Sequence, residues 1–356
     1  MKEARRERLP PETFGLPVAE MRAGVYSDKY FVRTRDVLRA EGRRPHVLMQ
    51  VFCKADAVLC GMDEAIAILK RASDDFSALN VQALHDGDLV APIETVMTIE
   101  GPYDVFANLE TLYLGALARG TRIATQTRRV VDAAAPKDVL FFAARHDHYA
   151  VQASDGYAAH VGGAIAVSTD AGAQRWGGVG FGTVPHAAIA AYRGDTALTA
   201  AKFAEHLPES VQLVVLVDFE NDSVKTALEV ARALGPRLYG VRLDTSGTLV
   251  DKSVMPAMGQ FDPRGVNARL VHNVRNALDD AGFASVRIVA SGGFGVDKVR
   301  AFESDNVPVD AYGVGSSLVA NHGDFDFTAD VVLTDAKPSA KVGRTLIPNP
   351  RLEVVE

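Results

Sequence analysis

Arg145 follows the apolar run 139–143, His186 follows 179–181 by way of Gly182-Thr183-Val184-Pro185, Asp218 follows 213–217, and Arg242 and Asp244 straddle the end of 238–243. An imidazole can accept a phosphoryl group covalently or carry a proton. A guanidinium fork suits a carboxylate or a phosphate, and an acid beside it suits ribose hydroxyls or Mg²⁺. Two further runs end in Ser291-Gly292-Gly293 and Gly313-Val314-Gly315-Ser316-Ser317. Glycine turns of this kind, opening helices, offer backbone N–H groups to an anion at the positive end of a helix dipole. The set points to a site that holds a phosphorylated small molecule.

Each of these residues also has a plainer reading. His186 could cap or pack the helical run 187–192, Arg242 and Asp244 could form a structural pair, and either glycine turn alone could be a tight bend. Asp218 ends a strongly apolar run, where an acid must be hydrogen-bonded, bound to a cation, or used as a helix N-cap. The shared placement after strand ends favours function for His186 and for the Arg242–Asp244 pair, and leaves the readings of Asp218 balanced. His146 and His148 beside Asp147 are expected to be solvated loop residues, because no further His or Cys nearby completes a metal site.

Such residues need a frame that brings strand ends together. The runs 139–143, 164–167, 179–181, 213–217, 238–243, 286–290 and 309–314 are short, apolar and mostly followed by a turn and a helical stretch. That alternation predicts a parallel sheet with crossover helices. Seven units in so short a span fit an irregular, incomplete TIM-like α/β barrel better than an open sheet, and in a barrel the chemistry sits at the rim beyond the strand ends. The last two strand ends are a recurrent phosphate site there.

Ahead of the barrel, 47–52 and 94–100 read as strands and 62–72 as an amphipathic helix, giving an N-terminal α+β domain over 1–105. Phe106, Leu109, Leu112, Tyr113 and Leu117 recur at helical spacing through 103–134, with Gly115 and Gly120 as weak points, so 106–135 is expected to bridge to the barrel domain at 136–324. The tail has strand character at 326–333 and again near its end, and 325–356 is expected to rejoin the first domain. The stretch 24–31, with Asp28 and Tyr30, reads from pattern alone as a surface loop.

Of 356 residues, 47% are hydrophobic and 23% charged, enough apolar material for a sizeable core. The net charge of −7 argues against a broad attraction to nucleic acid or an anionic membrane, so an anionic ligand must be held locally. No apolar run approaches the roughly 20 residues that span a bilayer, and the opening MKEARRERLPPE lacks a signal-peptide core, so a cytoplasmic location is expected. Cys53 and Cys60 are the only cysteines and are expected to be reduced.

The ordered set SDKYFVRT, FFAAR, STDAG, GTVPH, LVDFEND, RLDTSG, IVASGG and YGVGSSL, running from about Gly24 to Arg344, resembles the nicotinate phosphoribosyltransferase family, especially its shorter archaeal-type members. The resemblance implies a type II phosphoribosyltransferase architecture and a reaction that joins nicotinate to phosphoribosyl pyrophosphate, with Mg²⁺ and with ATP as cosubstrate. It implies that Phe142 stacks on the pyridine ring and that Tyr30 closes the other face from a neighbouring subunit, so that a homodimer or higher homo-oligomer shares its active sites. Arg145 and Arg242 would contact anionic ligands, Thr183 would lie beside the substrate, and Asp218 and Asp244 would serve the ribose or a transient Mg²⁺. The turns at Ser291, Gly292 and Gly293 and at Gly313, Gly315 and Ser316 would hold the 5′-phosphate, and His186 matches the histidine that family members phosphorylate from ATP.

Two departures bear on the substrate. Many nicotinate enzymes have two consecutive arginines where this chain has Arg145-His146, and many have Ser-Asn where it has Thr169-Asp170. Nicotinamide-using relatives carry an acid resembling Asp170, where a carboxylate facing the ring would repel nicotinate. Nicotinamide is therefore the runner-up substrate, and quinolinate, which needs cations for two carboxylates, comes behind it. Without the resemblance, the glycine turns alone would also suit a phosphate-binding isomerase or aldolase, although no rim lysine directly follows any of the seven runs, or a non-catalytic nucleotide sensor. No cysteine-rich tail follows, so no structural zinc is expected.

Overall fold

The computed structural model describes residues 6–356. The N-terminal part of the chain runs α1 (Val18–Arg22), α2 (Lys29–Ala40), β1 (His46–Cys53), β2 (Ala57–Val58), α3 (Met62–Ala72), β3 (Asn80–Ala83), β4 (Leu89–Val90) and β5 (Thr95–Pro102). β1, β3 and β5 pair antiparallel, and the apolar stripe of α3 packs with their buried side chains Val51, Met97 and Ile99 in one core. α2 corrects the loop reading of 24–31 at its end, since 29–31 are helical while 24–28 form a turn as read. It has no fully buried residue, only Phe31, Val32 and Leu38 half-buried along one face, so apolar packing holds it weakly. Polar contacts hold it instead, with Arg35 donating to the Arg22 carbonyl, Arg39 to that of Asp104, and Thr111 bonded to Asp28 at both ends.

The helix expected over 103–134 begins as two 3₁₀ turns that bury Phe106 and Leu109, and becomes α-helical only as α4 (Glu110–Ala134). Of its two glycines, Gly115 faces open space while Gly120 lies against the chain entering α3, where a Cβ would come within 2.7 Å of the Cys60 carbonyl oxygen.

After α4 come β6 (Asp138–Phe141), α5 (Gln152–Val161), β7 (Ala166–Val167), α6 (Asp170–Ala173), α7 (His186–Ala191), α8 (Thr196–His206) and β8 (Leu213–Leu216). α9 (Ser223–Leu234), β9 (Leu238–Leu243), α10 (Ala268–Asp280), β10 (Arg287–Ala290), α11 (Val296–Ser304), β11 (Ala311–Val314) and α12 (Ser316–Val319) complete this part. The six strands form one parallel sheet in the order β7-β6-β11-β10-β9-β8. Helices cover its outer face, and Leu140, Val214, Val289 and Ala311 fill the inside.

The irregular, incomplete barrel is therefore observed, with one correction to its strands. The run 179–181 is not a strand. Four glycines punctuate 177–182, and the segment instead spans the seam between the edge strands, Phe181 donating its N–H to the Val167 carbonyl at 2.8 Å and Val184 to that of Val214 at 2.9 Å. The chain then turns back: β12 (Phe327–Thr334) pairs with β1 and with β13 (Lys337–Pro338), and β14 (Glu353–Val354) pairs with β3. Among the described residues no helix is long and apolar enough to cross a membrane.

Candidate active site

A cavity of about 800 Å³ opens beyond the C-terminal ends of the parallel strands. Phe142, Arg145 and His146 reach it from the segment after β6, Thr183 and His186 from the seam and the start of α7, and Arg242 and Asp244 from the end of β9. Ser291, Gly292 and Gly293 after β10 and Gly313, Gly315 and Ser316 at the end of β11 close the other side. Residues scattered over 175 positions thus converge because parallel strands deliver their ends to one rim.

Arg242 ties that rim together. Its Nε donates to Ser291 Oγ at 2.8 Å, its Nη1 to Thr183 Oγ1 at 3.3 Å and its Nη2 to Asp244 Oδ2 at 3.0 Å, while its guanidinium carbon stands 4.9 Å from the centre of the Phe142 ring. Ser291 Oγ lies 2.8 Å from Asp244 Oδ1, so both carboxylate oxygens of Asp244 are engaged. The structural-pair reading of Arg242 and Asp244 and their place in the cavity are both true. The pair is a fixed cation and its counter-charge, with the guanidinium presented to the cavity.

The Phe142 ring is set by a missing side chain. A Cβ on Gly313 would lie 2.6 Å from Phe142 Cε2, so the ring occupies the room that only glycine leaves there. Phe181 runs nearly parallel to it, interplanar angle 9° and centroids 6.4 Å apart, giving the cavity a second aromatic surface. Gly292 and Gly293 both adopt positive φ, at 84° and 73°, which turns the backbone after β10 toward the cavity and leads into the N-terminus of α11.

His186, the first residue of α7, places Nε2 2.9 Å from Asp218 Oδ1. That contact removes the capping role of Asp218: the N-cap position of α9 belongs to Asp222. Asp218 is not part of the cavity wall but stands behind the imidazole, its side chain only 7% exposed. Burial raises the Asp218 carboxyl above its ordinary range, with the hydrogen bond from His186 opposing the rise. A carboxylate so placed accepts a hydrogen bond from the Nε2–H tautomer, which leaves the Nδ1 lone pair of the half-exposed imidazole for chemistry.

Two expected substrate residues are not in the cavity of this chain. Asp170 opens α6 on the exposed side, where its Oδ1 accepts the Gly180 N–H at 2.7 Å and so pins the seam loop. That bond uses one of its two carboxylate oxygens. Tyr30 lies on α2, 60% exposed and away from the cavity.

Lys298 escaped the sequence reading, and His146, read there as a solvated loop residue, lines the cavity. Lys298 on α11 donates to the Gly292 carbonyl at 3.3 Å and stands 4.2 Å from the Phe294 ring centre, and burial lowers its pKa. His146 packs against Gly315, whose missing Cβ would meet its ring at 2.7 Å. No spacing rule marks either residue, since their roles depend on contacts across separate strand ends. Cys53 and Cys60 are free and buried, and among the described residues no group of three or more His, Cys, Asp or Glu could hold a metal ion.

With this geometry in place, comparison with known proteins defines the class. The family model for the N-terminal domain of quinolinate phosphoribosyl transferase matches residues 28–120, and that for its C-terminal domain matches 123–328. A crystal structure named nicotinate-nucleotide pyrophosphorylase from Pyrococcus furiosus superposes with a TM-score of 0.80 at 32% identity, covering 96% of this chain and 85% of that one. The nicotinate phosphoribosyltransferase of Mycobacterium tuberculosis is 31% identical over 249 residues, 68% of this chain and 51% of its own length. That of Bacillus subtilis is 29% identical over 240 residues, 67% of this chain and 45% of its own length. The chain thus spans about half the length of the curated relatives it matches. The chain belongs to the phosphoribosyltransferase family that the two quinolinate phosphoribosyl transferase domains describe.

Proposed function

We propose that the cavity joins nicotinate to phosphoribosyl pyrophosphate, forming nicotinate mononucleotide and pyrophosphate in NAD salvage, with ATP hydrolysis coupled through a phosphohistidine. The observation that carries this reading is the meeting of an aromatic surface, a fixed guanidinium and two glycine turns in one cavity. Phe142 offers a face for the pyridine, Arg145 and Arg242 offer cations to its carboxylate and to the pyrophosphate, and the turns after β10 and β11 suit the 5′-phosphate. The names of the relatives, nicotinate phosphoribosyltransferase and nicotinate-nucleotide pyrophosphorylase, agree with that pairing of substrates.

The bond-forming step asks little acid–base work of the protein. The pyridine nitrogen donates its lone pair to C1 of the ribose as the C1–O bond to pyrophosphate breaks, and the pyrophosphate oxygen leaves with that electron pair. Positive charge builds on the ribose while negative charge moves to the leaving group, so held geometry and fixed cations dominate.

Mg²⁺ fits as an ion arriving with the pyrophosphate, where it would offset the charge of the leaving group. Both oxygens of Asp244 are occupied by Ser291 and Arg242, and Asp218 keeps one oxygen clear of His186, too few protein ligands for a resident ion. For the coupled step, His186 Nδ1 would attack the γ-phosphorus of ATP with ADP as the leaving group, and Asp218 would neutralise the charge on the imidazole.

The homodimer belongs to the same proposal. Val25, Tyr26, Tyr30 and Val37 are each more than half exposed around α2, an apolar patch that a second subunit would cover while bringing Tyr30 to the ring. Nicotinamide is the runner-up substrate: Asp170 has one carboxylate oxygen on the Gly180 N–H, and Thr169 beside it lines the cavity. A kinetic panel of nicotinate, nicotinamide and quinolinate with phosphoribosyl pyrophosphate and Mg²⁺, with and without ATP, tests the reading. Fastest turnover with nicotinate, stimulated by ATP, is expected, and no mononucleotide from any of the three refutes it. Acid-labile label from [γ-³²P]ATP should map to His186 and vanish in His186→Ala.

A further inference from the structure

The rim segment after β6 carries Arg145 and His146 into the cavity, yet neither is fixed by a hydrogen bond of its own side chain to the strands beneath. Within the barrel, the Phe142 N–H donates to the Val314 carbonyl at 2.8 Å and Gln152 Nε2 to the Ala144 carbonyl at 3.4 Å, but the charged anchor of the segment comes from α4. Arg119, in the middle of α4, sends Nε to Asp155 Oδ1 at 2.7 Å and Nη2 to Asp155 Oδ2 at 2.8 Å, a two-pronged grip on α5. The same Nη2 reaches Asp147 Oδ2 at 2.6 Å, one residue beyond His146. Asp147 in turn accepts the His148 N–H on its other oxygen at 2.7 Å. The Arg119 contact is the largest cause of a lowered Asp147 pKa, so the carboxylate is charged whenever the clamp is made.

α4 grips the opposite arm of the rim in the same way. Arg122 Nη1 donates to Asn321 Oδ1 at 2.7 Å, and Gln126 Nε2 to the carbonyl of Ala320 at 2.8 Å, both just past α12, whose first residue Ser316 lines the cavity. Positions 119, 122 and 126 fall on one helix face, so a single helix spans from one arm to the other.

We propose that Arg119 is a positioning residue which, through Asp147, holds the Arg145–His146 arm in the shape that meets an anionic substrate. This rests on the phosphoribosyl transfer reading only for the identity of that substrate. Asp155 is almost wholly buried, so removing Arg119 strands its charge and threatens the fold, whereas removing Asp147 leaves the buried pair intact. The informative variant is therefore Asp147→Ala, with Asp147→Asn, which keeps an acceptor, as the conservative rescue.

Amide hydrogen exchange on the protein without substrate reads the clamp directly. Exchange across 144–149 should quicken at least about tenfold in Asp147→Ala, and less in Asp147→Asn, whatever the enzyme's substrate proves to be. In turnover, the KM for phosphoribosyl pyrophosphate should rise about tenfold with kcat within about twofold, and the same substitution made in an Arg145→Ala background should change KM little. Unchanged exchange overturns the clamp. Faster exchange with unchanged KM, or equal effects in both backgrounds, overturns the positioning role. Absence of turnover in the wild-type protein with all three pyridines refutes the functional reading separately, and leaves the exchange result standing.

Discussion

Gly313→Ala is a one-carbon test of what sets the aromatic wall. The new Cβ would sit 2.6 Å from Phe142 Cε2, 2.7 Å from Cδ2 and 3.2 Å from Ser291 Cβ. Carbon atoms pack at about 3.5–4.0 Å, so the ring must retreat by about 1 Å. It has little room to do so, with its own N–H bonded to the Val314 carbonyl and the Arg242 guanidinium lying over its face. Overpacking of this kind costs about 1–3 kcal/mol of stability. Stacking of a planar heterocycle on an aromatic side chain contributes about 1–3 kcal/mol, so a displaced ring should raise the KM for the pyridine about 5- to 150-fold. Steady-state kinetics with the pyridine varied at saturating phosphoribosyl pyrophosphate measures the effect, and a thermal melt measures the strain. Phe142→Leu should raise the same KM, and adding Gly313→Ala to it should cost little more, because the collision partner is gone. Equal effects of Gly313→Ala with and without the Phe142 ring would refute the reasoning, as would a strained protein whose pyridine KM is unchanged.

The two glycines of α4 should answer oppositely to alanine. Gly115→Ala should stabilise by about 0.5–1 kcal/mol in denaturant titration, whereas Gly120→Ala, facing the Cys60 carbonyl at 2.7 Å, should destabilise by about 1–3 kcal/mol. Glu110 and Asp86 are each pushed up to about 8, chiefly by burial and then by neighbouring acids. Because these folded-state values exceed the unfolded ones, their stabilising protonation is complete below about pH 4 and lost as pH rises to about 8, so the denaturation midpoint should fall over that window. Glu110→Gln should flatten part of the fall, on the order of 1–2 kcal/mol after allowance for solvent contact, and an unchanged profile would contradict the burial argument. Asp170→Ala should speed amide exchange at Gly180 while shifting the nicotinate-to-nicotinamide rate ratio by no more than about twofold. A large swing in that ratio would return Asp170 to the cavity.

The barrel was legible because its signal is repeated. Six of the seven runs are strands, and each apolar stretch such as 213–217 can be buried on both faces only between layers. The seventh, 179–181, carries the same apolar residues, but Val179 is 82% exposed and the Gly180 backbone crosses that of Asp170. A run of three residues among four glycines does not say whether it pairs or spans a gap. α2 was missed although Phe31, Val32 and Leu38 recur at helical spacing, because that face is only half-buried and is interrupted by the charged Arg33, Arg35 and Asp36.

The site was legible to the extent that position alone implies it. A polar residue at or just beyond the end of a barrel strand faces the rim, which is why Arg242, Asp244 and the glycine turns converge without any contact being read in advance, while His186 reaches the same rim from the segment spanning the seam. Partners chosen across the rim carry no such mark. Whether Asp218 caps a helix or supports an imidazole depends on His186, 32 positions earlier, arriving within 2.9 Å, and whether Asp170 meets a ligand depends on the Gly180 amide claiming it first. Arg119 lies further still from any motif, on a helix whose visible pattern is its apolar face. Its polar face meets the segments that follow β6 and α12, elements far apart in sequence. Local sequence thus names the groups that can touch a ligand, while the groups that aim them are decided by how separate elements pack.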